Sequence, residues 1–180
     1  MNILGIGIIF ARGIGIDSFE NALKGGWQSP SEAGAPHLKD KKLPAFTVNL
    51  ETLADRSLLK KTRRSDKFSK MAVLAASDAL QNSRIENINK KNIGVILATA
   101  FGAHVTTFDF LDNILDYGEA AVSPTIFSNS VHNAAASYIT SALDIHGPAL
   151  TVTNFYFCFQ HALQLAQAWI NEGRHDYVLV

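Results

Sequence analysis

Apolar, β-branched runs punctuate this chain at 2–10 (NILGIGIIF), 93–99 (IGVILAT), 149–153 (ALTVT) and 176–180 (DYVLV). A strand that is apolar on both faces needs cover on both faces. Helices packed against a mostly parallel sheet provide it. The intervening segments carry the helical period. Residues 66–82 (DKFSKMAVLAASDALQN) set Phe68, Met71, Ala72, Ala75, Ala76 and Ala79 at helical spacing. Such small residues predict close helix packing. Further helices are expected at 106–115, behind a glycine-marked turn at Gly102, at the alanine-rich 134–143, and at 157–171. A shorter helix, N-capped by Asp17, carries Phe19, Ala22 and Leu23 and stops at Gly25 and Gly26. Strands alternating with helices give an α/β class with a largely parallel, buried sheet. Between these elements, residues 28–46 hold three prolines, Pro30, Pro36 and Pro44, and the run Lys39-Asp40-Lys41-Lys42. They predict a long surface loop with solvated lysines.

Sixteen basic residues balance sixteen acidic ones over 180 positions. No charge excess exists to neutralise phosphates, so a nucleic-acid partner is not expected. The length suits one domain spanning 1–180. Cys158 is the only cysteine, which excludes an intrachain disulfide and a four-cysteine zinc site. Charged residues make up only 18% of the chain, fewer than a lone domain usually carries. Some apolar surface is therefore expected to meet a partner. The opening run lacks a basic leader and a small-residue cleavage site, and no apolar run reaches the ~18 residues that span a bilayer. The expected compartment is the cytoplasm, without a membrane span. Gly5 and Gly7 hint at a dinucleotide fingerprint, but position 10 is Phe where a third glycine would let the helix approach. No cofactor is expected.

The stretch richest in chemistry is 147–165 (GPALTVTNFYFCFQHALQL), a buried strand that turns sharply into a helix. Such a turn presents a side chain at a helix N-terminus, where free N–H groups and the helix dipole favour negative charge. A cysteine held there becomes a reactive nucleophile.

The chain resembles the N-terminal half of a β-ketoacyl synthase, a condensing enzyme of the thiolase-like superfamily. The resemblance rests on the opening GIG strand, RRSDKFSKMAVLAASDAL (63–80), IGVILATAFG (93–102), SPTIFSNSVHNAAASYI (123–139) and GPALTV (147–152). It implies a thiolase-like αβαβα layered fold, built from two related halves, of which these residues supply the N-terminal half. A chain of this length would leave sheet edge and apolar face exposed, so the resemblance also implies either a longer protein or a covering partner.

The resemblance breaks where the family holds its acyl-carrying cysteine. After GPALTV stand Thr153, Asn154, Phe155 and Tyr156, and the ungapped register puts Tyr156 at the nucleophile position. A phenol is a poor acyl acceptor near neutral pH and is bulkier than a thiol. Cys158 lies two residues later. On a helix two residues rotate by about 200°, so Cys158 should point away from Tyr156. It is expected to be a buried structural cysteine, with a displaced nucleophile as the alternative. Cys158 and His161 offer two ligands where a closed zinc site needs four, so no metal is expected. The family's two catalytic histidines and its lysine come from its C-terminal half. His161 and His175 match no such motif and are expected on a helix surface and in a loop; His104, His132 and His146 carry no catalytic pattern.

The resemblance implies that Phe101, Phe108, Ile126 and Phe127, with Asn154 and Phe155, line the acyl tunnel and subunit interface. A retained scaffold without a nucleophile is most like a chain-length factor. Such a subunit forms a heterodimer with an active ketosynthase in polyketide, aryl polyene or fatty-acid-like biosynthesis, and shapes the tunnel that receives chains from acyl carrier protein. The alternative is an acyl-carrier-protein-dependent ketosynthase or acyltransferase that uses Cys158 with histidines supplied elsewhere. A carrier-binding module is a third expectation, with Lys60, Lys61, Arg63 and Arg64 as a basic cluster at a helix start.

Overall fold

The computed structural model describes residues 2–34, 41–53, 56–86, 88–118, 120 and 122–180. The chain opens with a short antiparallel ribbon of β1 (Ile9–Phe10) and β2 (Gly13–Ile14), followed by α1 (Gly15–Lys24). A second ribbon pairs β3 (Ser31–Gly34) with β4 (Lys42–Ala45). Two short helices, α2 (Leu50–Leu53) and α3 (Arg56–Lys61), precede the long α4 (Lys67–Ser83). Then come β5 (Ile93–Thr99), α5 (His104–Tyr117), α6 (Pro124–Ser130), α7 (Ala134–Leu143), β6 (Ala149–Thr153), α8 (Cys158–Asn171) and β7 (Tyr177–Leu179).

The main sheet runs β6-β5-β7 with both pairings parallel, Val95 opposite Ala149 on one side and opposite Leu179 on the other. Alternation along β5 sends Ile93 and Val95 to one face and Ile96 to the other. Ile93 and Val95 meet Val73 of α4 and Ile139 and Ala142 of α7. Ile96 meets Ala162 and Ala166 of α8. Burial of an aliphatic side chain of this size contributes roughly 1.5–3 kcal/mol, so these few residues carry much of the fold. The central strand is therefore covered on both faces, as its pattern requires. Two glycines make this approach possible. A Cβ on Gly147 would strike the carbonyl of Ile93, and one on Gly94 would lie 2.8 Å from the Trp169 ring.

Three expectations are corrected by the structure. The run 2–10 is not a buried strand: only Ile9 and Phe10 pair, and Ile3, Leu4 and Ile6 are exposed. The segment lies along α4, where Gly5 and Gly7 leave room for the backbone carbonyls of Ala79 and Ala75. Its amides find side chains instead of a strand, Ile6 N donating to Asn82 Oδ1 at 2.9 Å and Ile8 N to Asp78 Oδ2 at 3.0 Å. The loop at 28–46 contains the β3–β4 ribbon. Pro44 is tolerated in it because a two-stranded ribbon has an edge on each side, where a missing N–H costs no ladder bond. Lys42 lies on this ribbon near Glu32, at 3.8 Å, while Pro36, Lys39 and Asp40 lie outside the described residues. Asp17 sits in the first turn of α1, not at its cap, which is Ile14.

Helix α4 begins where expected. Asp66 caps it by accepting from Ser69 N at 2.8 Å. Its small residues serve two neighbours, Ala72 and Ala76 packing toward the main core and Ala75 and Ala79 toward the N-terminal segment. Among the described residues, no helix is long and apolar enough to cross a membrane.

Candidate functional site

Ligand sites in parallel sheets form beyond the carboxyl ends of the strands. Here β5 and β6 both point their carboxyl ends at the loops that open α5 and α8. The turn after β6 is held by Asn154, whose Oδ1 accepts from Tyr156 N at 3.2 Å. Phe157 then takes the left-handed conformation, φ 59°, and caps α8 without a side-chain bond. A bulky residue there costs of order 1–3 kcal/mol, a strain that turns of this kind store at functional positions.

The turn places Phe155, Tyr156 and Phe157 in solvent, Tyr156 at 76% exposure, and Phe159 in the first turn of α8 is exposed as well. Tyr156 thus lies before the helix, not on it. The helical rotation expected to separate it from Cys158 does not apply, because α8 starts only at Cys158. The two side chains still differ in setting. Cys158 is half-buried, which corrects the expectation of a sealed structural cysteine. It occupies the first turn of a 14-residue helix.

Phe155 touches Phe101 edge-on, with ring centroids 5.5 Å apart. Phe101 meets His104 at 5.7 Å, and His104 meets Phe108 at 5.1 Å. His104 Nδ1 also lies 3.0 Å from the Phe101 carbonyl, which fixes the ring. Phe101, Phe108 and Phe155 are therefore brought together, with His104 as the link that sequence reasoning left without a role. These aromatics are not core: Phe101 is 58% exposed. Phe127 belongs to a separate pair with Phe110, at 5.4 Å, and Ile126 is half-buried on α6.

Polar bonds fix this rim to the scaffold. Asp66 accepts from Thr106 Oγ1 at 3.0 Å with the oxygen its cap leaves free, tying α5 to α4. Asn129 is buried; its Nδ2 donates to the Arg64 carbonyl at 2.7 Å and its Oδ1 accepts from Tyr138 OH at 2.9 Å. Asn129 was not singled out in the sequence. Pro124 at the first position of α6, which signals a helix start, would have pointed to its element.

The basic cluster lies at the end of α3 and in the turn to α4, not at a helix start. Lys61 Nζ donates to the Ala142 carbonyl at 3.0 Å, while Lys60, Arg63 and Arg64 are exposed. His161 is exposed on α8 and His175 lies in a loop against Trp169, their rings 5.6 Å apart. Among the described residues, no three histidine, cysteine or carboxylate side chains gather as a metal-binding group. Strand β6 pairs with β5 alone among the described strands, so its outer edge is open, with Leu150 exposed.

Comparison with known proteins agrees with this architecture. The chain matches the family described as beta-ketoacyl synthase, N-terminal domain, along residues 1–180. It is similar to the chloroplastic 3-oxoacyl-[acyl-carrier-protein] synthase I of Arabidopsis thaliana, with 21% identity over 125 residues, 67% of this chain and 26% of that protein. Its fold is similar to the ishigamide ketosynthase/chain length factor, with a TM-score of 0.75 and 22% identity over 96% of this chain and 49% of that one. It is also similar to a beta-ketoacyl synthase from Burkholderia phymatum STM815, with a TM-score of 0.74 and 21% identity over 96% of this chain and 44% of that one. The chain thus spans about a quarter of the curated relative (26%) and about half of each of these structures (49% and 44%). Sheet order, the β6–α8 turn and the family match along the whole chain lead to one statement: this chain belongs to the β-ketoacyl synthase N-terminal domain family.

Proposed function

We propose that this chain is a non-catalytic, chain-length-factor-like subunit that pairs with an active ketosynthase and shapes the acyl tunnel between them. One observation carries the reading. The turn that offers a nucleophile in the resembled family presents Tyr156 here, directly after the strand whose GPALTV (147–152) carries the resemblance. A phenol does not accept an acyl group as a thiolate does. The condensing cysteine then comes from the partner. The exposed rim of Phe101, His104, Phe108 and Phe155 fits a surface that becomes interior on pairing. Ile126, Phe127 and Asn154 complete the tunnel and interface set on this reading. The open outer edge of β6 suits an added strand from the partner. Lys60, Arg63 and Arg64 suit an acidic acyl carrier protein delivering its thioester-bound chain. The pathway class is polyketide, aryl polyene or fatty-acid-like synthesis, and the compartment is the cytoplasm.

A second reading has an observation of its own. Half-buried Cys158 opens α8, at a helix end that favours an anion, and would serve an acyltransferase or ketosynthase with histidines supplied elsewhere. Intact-mass analysis separates the two. After incubation with an acyl-[acyl carrier protein] thioester, the non-catalytic subunit gains no acyl mass. An acyl adduct that disappears in Cys158→Ala establishes the second reading and sinks the first.

A further inference from the structure

Helix α5 has two apolar sides, and one of them is largely exposed. The side carrying Thr106, Phe110 and Ile114 packs inward, through Thr106 to Asp66 and through Phe110 to Phe127. The other side carries Phe108, Leu111 and Leu115, which are 48%, 45% and 81% exposed. At about 100° per residue, these three fall within about 60° of one another. Asp109, Asp112 and Asp116 fall on the adjoining strip of similar width. The helix holds these three aspartates and no Lys or Arg. No described Lys or Arg pairs with Asp109 or Asp116, and both are exposed.

We propose that this face of α5 selects an unlike subunit, one whose facing helix carries Lys or Arg beside its own apolar stripe. The inference rests on the heterodimer reading above and says how self-pairing is avoided. Two copies of α5 packed antiparallel about a two-fold axis bring both aspartate strips to the same edge of the seam. Like charges there oppose association. Two copies packed parallel set each strip beside an uncharged edge, so its carboxylates lose water and gain no cation. In neither arrangement do Asp109 and Asp116 meet a counter-charge. A partner with a basic flank supplies it, and the leucines then provide the buried area. The rim of Phe101 and Phe155 continues this face through His104, so one continuous surface serves both selection and tunnel.

The test requires no knowledge of the natural partner. The double variant Asp109→Lys/Asp116→Lys converts the strip into the proposed complement. Sedimentation equilibrium is measured for the wild-type chain, for the double variant, and for their equimolar mixture, with circular dichroism confirming unchanged helix content. The mixture is expected to associate at least tenfold more tightly than either protein alone, and Leu111→Glu in both components is expected to remove the gain. A wild-type chain that self-associates through Leu111 as tightly as the mixture overturns the proposal. So does a mixture that stays monomeric. A separate arm distinguishes this from failure of the subunit reading. If the chain co-purifies with an active ketosynthase and the double variant does so equally well, the pairing stands and α5 is not its selecting surface.

Discussion

Two regions of this molecule share an apolar composition and differ in what covers them. The contact of α4, α7 and β5 is closed: Val73, Ile93, Val95 and Ile139 are almost wholly withdrawn from water. The rim from α5 through the β6–α8 turn is equally rich in large apolar side chains, yet Phe155 is 70% exposed and its neighbours are similarly open. The first region is a scaffold complete within the chain. The second has the composition of an interior without an interior around it. On the proposed pairing, this open rim is the surface that a partner covers, and the closed region is the scaffold that holds it in place.

Substitutions on the two sides should therefore behave oppositely. The largest effect is expected in the closed region. Ile96→Ala removes a fully buried side chain between β5 and α8 and should lower stability by about 2–5 kcal/mol, read from the urea midpoint at unchanged slope. At the rim, Phe155→Ser and Tyr156→Ser should shift stability by only about 0.5 kcal/mol in the isolated chain. The same changes should weaken pairing with a ketosynthase by more than tenfold, measured by titration calorimetry. A rim variant that unfolds the isolated chain would move that region into the core and erase the contrast.

The same contrast explains how much the sequence told in advance. Strands β5 and β6 and helix α7 stand at the residues their patterns marked, α4 is displaced by one residue at each end, and α8 starts one residue late. Those elements lie where local pattern and tertiary cover agree. The run 2–10 shows where they part. Its pattern matches that of β5, but a pattern states only that side chains want cover, not which neighbour supplies pairing. Asp78 and Asn82 capture its amides, and that capture depends on α4 being alongside. The β3–β4 ribbon was hidden by proline and charge, since an edge position such as Pro44 obeys weaker rules than a central strand. At the site, the sequence reading set Tyr156 and Cys158 on one helix, whereas α8 begins only at Cys158 and leaves Tyr156 in the turn before it. The link made by His104 and the buried bonds of Asn129 join residues distant in sequence, which no local spacing encodes.

The central claim is that the nucleophile belongs to the partner. The direct measurement is product formation by the co-expressed pair, with one cysteine removed at a time. Replacement of the partner's nucleophilic cysteine by alanine should abolish product, while Cys158→Ala in this chain should leave the rate within about twofold, because no bond is made to that sulfur. Loss of product on Cys158→Ala, with the complex still assembled by native mass, would contradict the account.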